Sequence, residues 1–454
     1  MKLDILQDKK FNKTVLNIAV PIAFQSFLAS SLNLIDTVMV GQLGDKAIAA
    51  IGLCNQVFMI LSICIFSICS GGVVFASQFW GNNDIKNIKR VQGIMLIINI
   101  IISCMFFICV YFAPKAILSI FTKDTTVISL GIEYFKIISF SYIITAVSSC
   151  YATMLKSIGQ VKLAMKVSII SIFTNTLLNY LLITGNMGFP SLGVSGAALA
   201  TVVSRIVEVS ILLIVIYKNN YITAAKLTEM FDFSVDLLKV FLSKTIPILI
   251  KDLVWILGTT LYVVVYARIG TQELAAINIA NTIQNVSFFM FNGVGSACAI
   301  MVGRELGREK FETSYIYGKK FLLLGIFLSI FVSIILFLST GLLGRIFNIN
   351  YEVLTITKHI VIILSISLFF RVFNNISIVG IFRSGGDVKF CLLLDFIAVW
   401  LIGLPLCVMS GLILKYPIEI VFILVSTQEV FKFIVSVKRF KSRKWLNNLV
   451  KGIG

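Results

Sequence analysis

Residues 57–76 carry no charged side chain, and neither do residues 93–112. A run of about 20 apolar residues is what a helix needs to cross a bilayer. Hydrocarbon tolerates only helices or closed barrels, and neither run alternates between apolar and polar residues as a barrel strand would. These two segments commit the chain to helices in a membrane. The remainder agrees with them. Apolar types make up 58% of the 454 residues and charged types 13%, against about 25% charged in a soluble domain. Mean hydropathy is +0.98. Too few polar groups are present to cover a water-facing surface of this size, which excludes a soluble enzyme, a disordered regulator and a fibrous protein.

The fold class expected is therefore all-α, a polytopic membrane protein. Twelve spans can be drawn, at 15–40, 48–76, 93–112, 127–151, 163–184, 194–217, 240–266, 275–302, 321–343, 354–382, 390–414 and 417–437. The net charge of +18 would suggest a nucleic-acid partner in a soluble chain. Here no basic patch is interleaved with aromatics, and the excess follows the topology instead. Of the 39 Lys and Arg, counting those near span ends with the adjoining connection or terminus, 28 fall on one set of alternate connections with the two termini, seven on the other set and four inside spans. Basic loops stay on the cytoplasmic side. Both termini are therefore expected in the cytoplasm and the protein in the cell (inner) membrane. The nine cysteines form no Cys-x-x-Cys pair, and His359 is the only histidine. Disulfide frameworks, zinc sites and histidine catalysis find no support. No cofactor is expected, and the chain is expected to act as a monomer.

The chain also repeats itself. At a shift of 226, Pro21-Ile22 meets Pro247-Ile248, Gly44 meets Gly270, Ala49-Ala50-Ile51 meets Ala275-Ala276-Ile277, and Asn55, Ser70 and Gly81 meet Asn281, Ser296 and Gly307. At a shift of 227, Lys156-Ser157-x-Gly159-x-Val161-Lys162 meets Arg383-Ser384-x-Gly386-x-Val388-Lys389. Two parallel halves of six spans follow, drawn as lobes 1–225 and 226–454. Repeats of this kind build secondary transporters. No Gly-x-x-x-x-Gly-Lys-[Ser/Thr] motif is present, so the energy for transport is expected from an ion gradient.

An ionisable group inside a span is expensive and usually functional, which singles out Asp36. Asn175 and Asn179 are four residues apart and share one helix face. Both they and Thr201 lie at a depth similar to that of Asp36. Three spans would then bring oxygen donors together, as an ion such as Na⁺ needs, while a proton would need only the carboxylate. Helix–helix hydrogen bonding is the alternative use of the amides and the threonine. Pro21 and Pro247 break the hydrogen-bond ladder at equivalent points of spans one and seven, as a hinge would, or as static kinks. In the second half, Asp252, Trp255, Asn374, Asn375 and Asp395 form a second polar group. Carboxylates beside aromatic faces suit organic cations. Pairing of Asp252 with Lys251 or Arg371 is the alternative. Glu208 with Arg205, and Glu133 with Lys136, have the spacing of neutralising pairs. The basic tail around residues 438–444 reads as a solvated end near anionic lipid.

Pro21, Asp36-x-x-x-x-Gly41-x-Leu43-Gly44, Asn175-x-x-x-Asn179, Gly193-Val194-x-Gly196-Ala197-Ala198-x-Ala200-Thr201 and Arg383-Ser384-Gly385-Gly386-Asp387 together resemble the multidrug and toxic compound extrusion (MATE) transporters. The resemblance runs from about residue 14 to 437. It implies two six-helix lobes around a V-shaped cleft, and export of organic cations or amphiphiles against inward Na⁺ or H⁺. It also implies an ion site at Asp36, Asn175, Asn179 and Thr201. Relatives hold an aspartate where Asn179 stands. One branch adds an acid in span seven, where Asp252 lies, and an aspartate in span ten, where this chain has Asn374 and Asn375. A lipid-linked oligosaccharide flippase of the same superfamily, or an ion channel, is the alternative function. In-span cations are few for the first, and no filter-like loop supports the second.

Overall fold

The computed structural model describes residues 8–346 and 350–452. Helix dominates, and no strand occurs among the described residues. Among the described residues, eleven helices are long and apolar enough to cross a membrane. A twelfth span is a bent pair, Thr125–Ile138 and Phe140–Ser157, which meet at 46°. In chain order these are α1 (Lys9–Gly41), α2 (Asp45–Gly81), α3 (Ile85–Phe112), α4 (the bent pair), α5 (Val161–Leu182) and α6 (Gly193–Lys218). They continue as α7 (Val235–Ile269), α8 (Thr271–Gly307), α9 (Phe311–Leu342), α10 (Tyr351–Phe382), α11 (Val388–Ile413) and α12 (Ile418–Lys441). Each expected span has its counterpart.

The repeat is visible in the turns. Asn83 and Glu309, 226 positions apart, both adopt left-handed backbone, with φ of 58° and 59°. They end α2 and α8 in the same way. Gly159 and Gly386, 227 positions apart, do likewise with φ of 91° and 71°, a conformation that glycine adopts without steric cost. The last turns of α10 and parts of α11 widen into π-helix, at Ile376–Phe382, Ile397–Gly403 and Met409–Ile413.

The chain divides into two compact units. Phe24–Thr245 forms the first, and Ile246–Lys451 forms the second together with the described residues up to Ala23. Helices α1 and α7 are thus each shared between units. Pro21 and Pro247 lie within three residues of the two changeover points.

In the first unit, the connection after α6 folds back onto α3. Gly93 gives it room, since a Cβ there would overlap the backbone of Met230. Lys89 then reaches Glu229 at 2.8 Å and Arg90 reaches Asp232 at 2.8 Å. In the second unit the basic tail keeps Lys438, Lys441, Arg443 and Lys444 exposed, as expected, but is tied down along one side. Arg439 grips Asp387 with two hydrogen bonds of 2.6 and 2.8 Å, and Arg443 pairs with Glu312. Trp445 is fully buried, and Asn447 donates to the carbonyl of Gly385 at 3.1 Å.

Candidate functional site

The first unit contains a cavity of about 870 Å³. Asp36, Asn175, Asn179 and Thr201 all line it. Helices α1, α5 and α6 deliver them because α5 turns its i, i+4 asparagines toward both neighbours. The side-chain nitrogen of Asn179 donates to Asp36 Oδ1 at 2.7 Å and to Asn175 Oδ1 at 3.1 Å. That of Asn175 donates in turn to Thr201 Oγ at 3.3 Å and Ser204 Oγ at 3.5 Å. One carboxylate thus heads a chain of neutral dipoles. Asn175 and Asn179 are buried, and Oδ1 of Asn179 has no hydrogen-bond partner. A buried amide oxygen without a donor is costly, and a cation beside it would satisfy it.

Deeper in the same cavity lies a second polar group. Arg205 pairs with Glu208 at 2.6 Å, as its spacing suggested, and Ser171 Oγ donates to the same carboxylate at 3.3 Å. Gln25 donates to Ser168 at 2.6 Å. Lys156 also lines this cavity. Sequence reasoning passed over Lys156, Gln25, Ser168 and Ser171 because serines and a loop lysine carry no periodic signal. Glu133 and Lys136 form no ion pair among the described residues.

The second unit gathers Asp252, Asn374 and Asp395 around the chain's own cations. Lys251 lies 2.9 Å from Asp252 and 3.2 Å from Asp395. Arg383 lies 2.8 Å from Asp252. Lys432 lies 2.8 Å from Glu429 and 3.5 Å from Asp395, and Asn374 donates to Glu429 at 2.8 Å. Three positive and three negative groups balance. The interior position makes each dependent on its partners, with Arg383 only 2% and Asp395 3% exposed. Arg371 turns instead to Gln284, at 2.9 Å. Asn375 Oδ1 is buried without a partner. Trp255 is 44% exposed on α7, and Trp400 donates to the carbonyl of Val254 at 3.0 Å. The contributions of Arg383 and Lys432 went unread, since Arg383 reaches Asp252, 131 positions away, and Lys432 reaches Asp395 on another helix.

Two six-span repeats with a polar cavity inside hydrocarbon-facing helices define a membrane transporter. The MatE family model matches the chain twice, at residues 21–181 and 247–409, one match in each half of the repeat. The chain belongs to the MatE family, whose members are transporters and not enzymes. Among curated relatives, the Bacillus subtilis transporter YisQ is 25% identical over 442 residues, covering 97% of this chain and 96% of its own. A probable multidrug resistance protein NorM of Thermotoga maritima is 25% identical over 401 residues, covering 87% and 85%. Among solved structures, the Vibrio cholerae MATE transporter VcmN aligns with a TM-score of 0.87 at 17% identity, over 95% of this chain and 97% of that one. A Pyrococcus furiosus transporter of the MOP superfamily aligns at 0.85 and 19%, over 97% and 98%. These structural likenesses speak to the fold.

Proposed function

We propose that this protein is a secondary active multidrug efflux antiporter, exporting organic cations or amphiphilic drugs in exchange for Na⁺ or H⁺. The observation that carries the reading is the 2.7 Å hydrogen bond from Asn179 to Asp36 in the wall of a cavity of drug-molecule size. A single carboxylate there is available to one monovalent cation at a time, which is what exchange requires. The NorM relatives, named as probable multidrug resistance proteins, support the same reading. Na⁺ is the favoured coupling ion. Asn175, Asn179 and Thr201 supply neutral oxygens beside the carboxylate, and Asn179 Oδ1 lacks a donor; a proton would make no use of it. Pro21 and Pro247 serve as the bending points of α1 and α7, and the halves 1–225 and 226–454 as the two lobes.

Reconstituted vesicles test this. At equal pH on both sides, an inward Na⁺ gradient should drive exchange of a cationic dye, and Asp36→Asn should abolish it with the protein still folded. Export that ignores Na⁺ at every concentration but follows a pH step would make Asp36 a proton carrier. Normal export by a folded Asp36→Asn protein would remove the site altogether.

A further inference from the structure

Three helices of the first unit meet at a pair of thiols. Cys69 comes from α2, Cys150 from the second arm of α4, and Asn99 of α3 bridges them. The side-chain nitrogen of Asn99 donates to Cys150 Sγ at 3.1 Å and to Cys69 Sγ at 3.7 Å. The two thiols also hydrogen-bond each other, and the Thr153 hydroxyl is a further partner of Cys69. Asn99 and Cys150 are fully buried, and Cys69 is 4% exposed. Asn99 Oδ1 is buried without a partner, which is costly unless something occupies the place beside it.

The repeated architecture does not require this group. At the shift of 226, Gly295 stands opposite Cys69 and Gly325 opposite Asn99; at 227, Ser377 stands opposite Cys150. In the second half Ile376 fills the space, since a Cβ on Gly325 would overlap its side chain. An amide between two thiols thus occupies a junction that the other half packs with hydrocarbon. Its surroundings suit a ligand. Cys69 lines the cavity together with Thr153 and Lys156, which gives an entry path, and Cys150 lies beyond it. Lys156 is close enough to act on Cys69 electrostatically. Among the described residues no three His, Cys, Asp or Glu side chains converge as metal ligands, so Zn²⁺, which takes four, has no place here. A soft ion that is satisfied by two sulfurs does.

We propose that Cys69 and Cys150 form a two-coordinate site for a soft monovalent metal ion of the Cu⁺ or Ag⁺ type, which ties α2 to α4 behind the cavity wall. The inference goes beyond the export reading and does not depend on it, because the ion is held by the wall and not carried. Each thiol releases its proton on coordination. A monovalent ion between two thiolates leaves a net negative charge, and the Lys156 ammonium offsets it. The amide hydrogens of Asn99 donate to the thiolates, which accept better than thiols do. Asn99 therefore acts as a positioning residue, orienting the two ligands as outer-shell partners of metal sites do.

The full-length protein in nanodiscs, purified under reductant, tests this with Ag⁺ alone. A variant keeping Cys69 and Cys150, with every other cysteine changed to alanine, should retain a single Ag⁺ in native mass spectrometry after dialysis against excess methionine. Its unfolding midpoint should rise when the ion is present. Adding Cys69→Ala or Cys150→Ala should abolish both effects, and Zn²⁺ should produce neither. Lys156→Gln and Asn99→Leu should each weaken retention about tenfold. Where the cysteine-depleted variant does not fold, the wild type takes its place: Cys69→Ala and Cys150→Ala should each lose a tightly held ion that Cys104→Ala and Cys109→Ala keep. A folded protein that retains no Ag⁺, or retention that survives both Cys69→Ala and Cys150→Ala, overturns the inference. A metal-free protein two hydrogens lighter after exposure to Ag⁺ would show a disulfide in the ion's place and overturn it as well.

Discussion

The hydroxyl of Tyr262 donates to Oε1 of Gln428 at 2.9 Å, at the two positions that the repeat matches to Asp36 and Thr201. The second half thus fills with a neutral pair the place where the first half keeps a carboxylate. Ile402 and Leu406 stand where Asn175 and Asn179 would be. Gly403 lets Tyr262 in, because a Cβ there would overlap the tyrosine hydroxyl. Among the described residues the oxygen-rich cluster therefore occurs once, although the architecture occurs twice.

Coupling should accordingly respond to one member of each matched pair. With equal pH on both sides, Asn179→Leu should raise the Na⁺ concentration for half-maximal exchange about tenfold, the loss of roughly one ligand's 1.4 kcal/mol. Tyr262→Phe should cost about 1 kcal/mol of stability through its lost hydrogen bond and leave the Na⁺ dependence as it was. A Tyr262→Phe protein with altered Na⁺ dependence would place coupling in the second half as well.

The interlocked charges of Lys251, Asp252, Arg383, Asp395, Glu429 and Lys432 should behave as a unit under heat. Removing Lys432 alone, as Lys432→Met, takes from Glu429 its ion-pair partner inside the unit, while Asp395 keeps Lys251, and should destabilise by about 3–5 kcal/mol. Adding Glu429→Gln should recover part of that loss. Unfolding midpoints of the two single variants and the double would check it; strictly additive losses would mean that the two side chains do not interact.

The orientation of the chain is open to chemical labelling. An impermeant thiol reagent should reach cysteines introduced at Lys46 and Lys415 in intact cells, and one at Lys226 only after permeabilisation. Labelling at position 226 from outside would invert the arrangement drawn from the loop charges.

The connection around Glu229 and Asp232 should loosen in acid. The Lys89 ammonium holds the Glu229 carboxyl below its ordinary range, and the Arg90 guanidinium does the same for Asp232. A carboxyl held low in the folded state contributes stability above its unfolded value and loses it as pH falls through the folded one. Protection of this connection from limited proteolysis should therefore be full at neutral pH and fall below about pH 4. Protection that falls instead on raising the pH would contradict these pairs.

Much of this architecture could be read from residue order. The apolar runs fixed the spans, and the matched prolines, glycines and alanines fixed the repeat. Asn175 and Asn179 announced a shared helix face through their spacing alone, and Asp36 stood out as an acid in a span. What escaped were pairings set by packing. Arg383 looks like a loop residue in sequence, yet it reaches Asp252, 131 positions away. Arg439 and Trp445 look like a solvated tail, yet they are held by Asp387 and by close packing. Burial of a charged side chain depends on which helices meet around it, and no local pattern encodes that.

The balanced six-charge group also constrains how this half of the protein could have changed over generations. Each member touches at least one opposite charge, so a substitution at any one site unbalances the group, and one at Asp252 or Lys432 takes the ion-pair partner from Arg383 or Glu429. Histories made of single replacements must pass through a crippled intermediate. Replacements there are expected to arrive in compensating pairs or not at all, so lineages descending from this chain should vary around the group long before they vary within it.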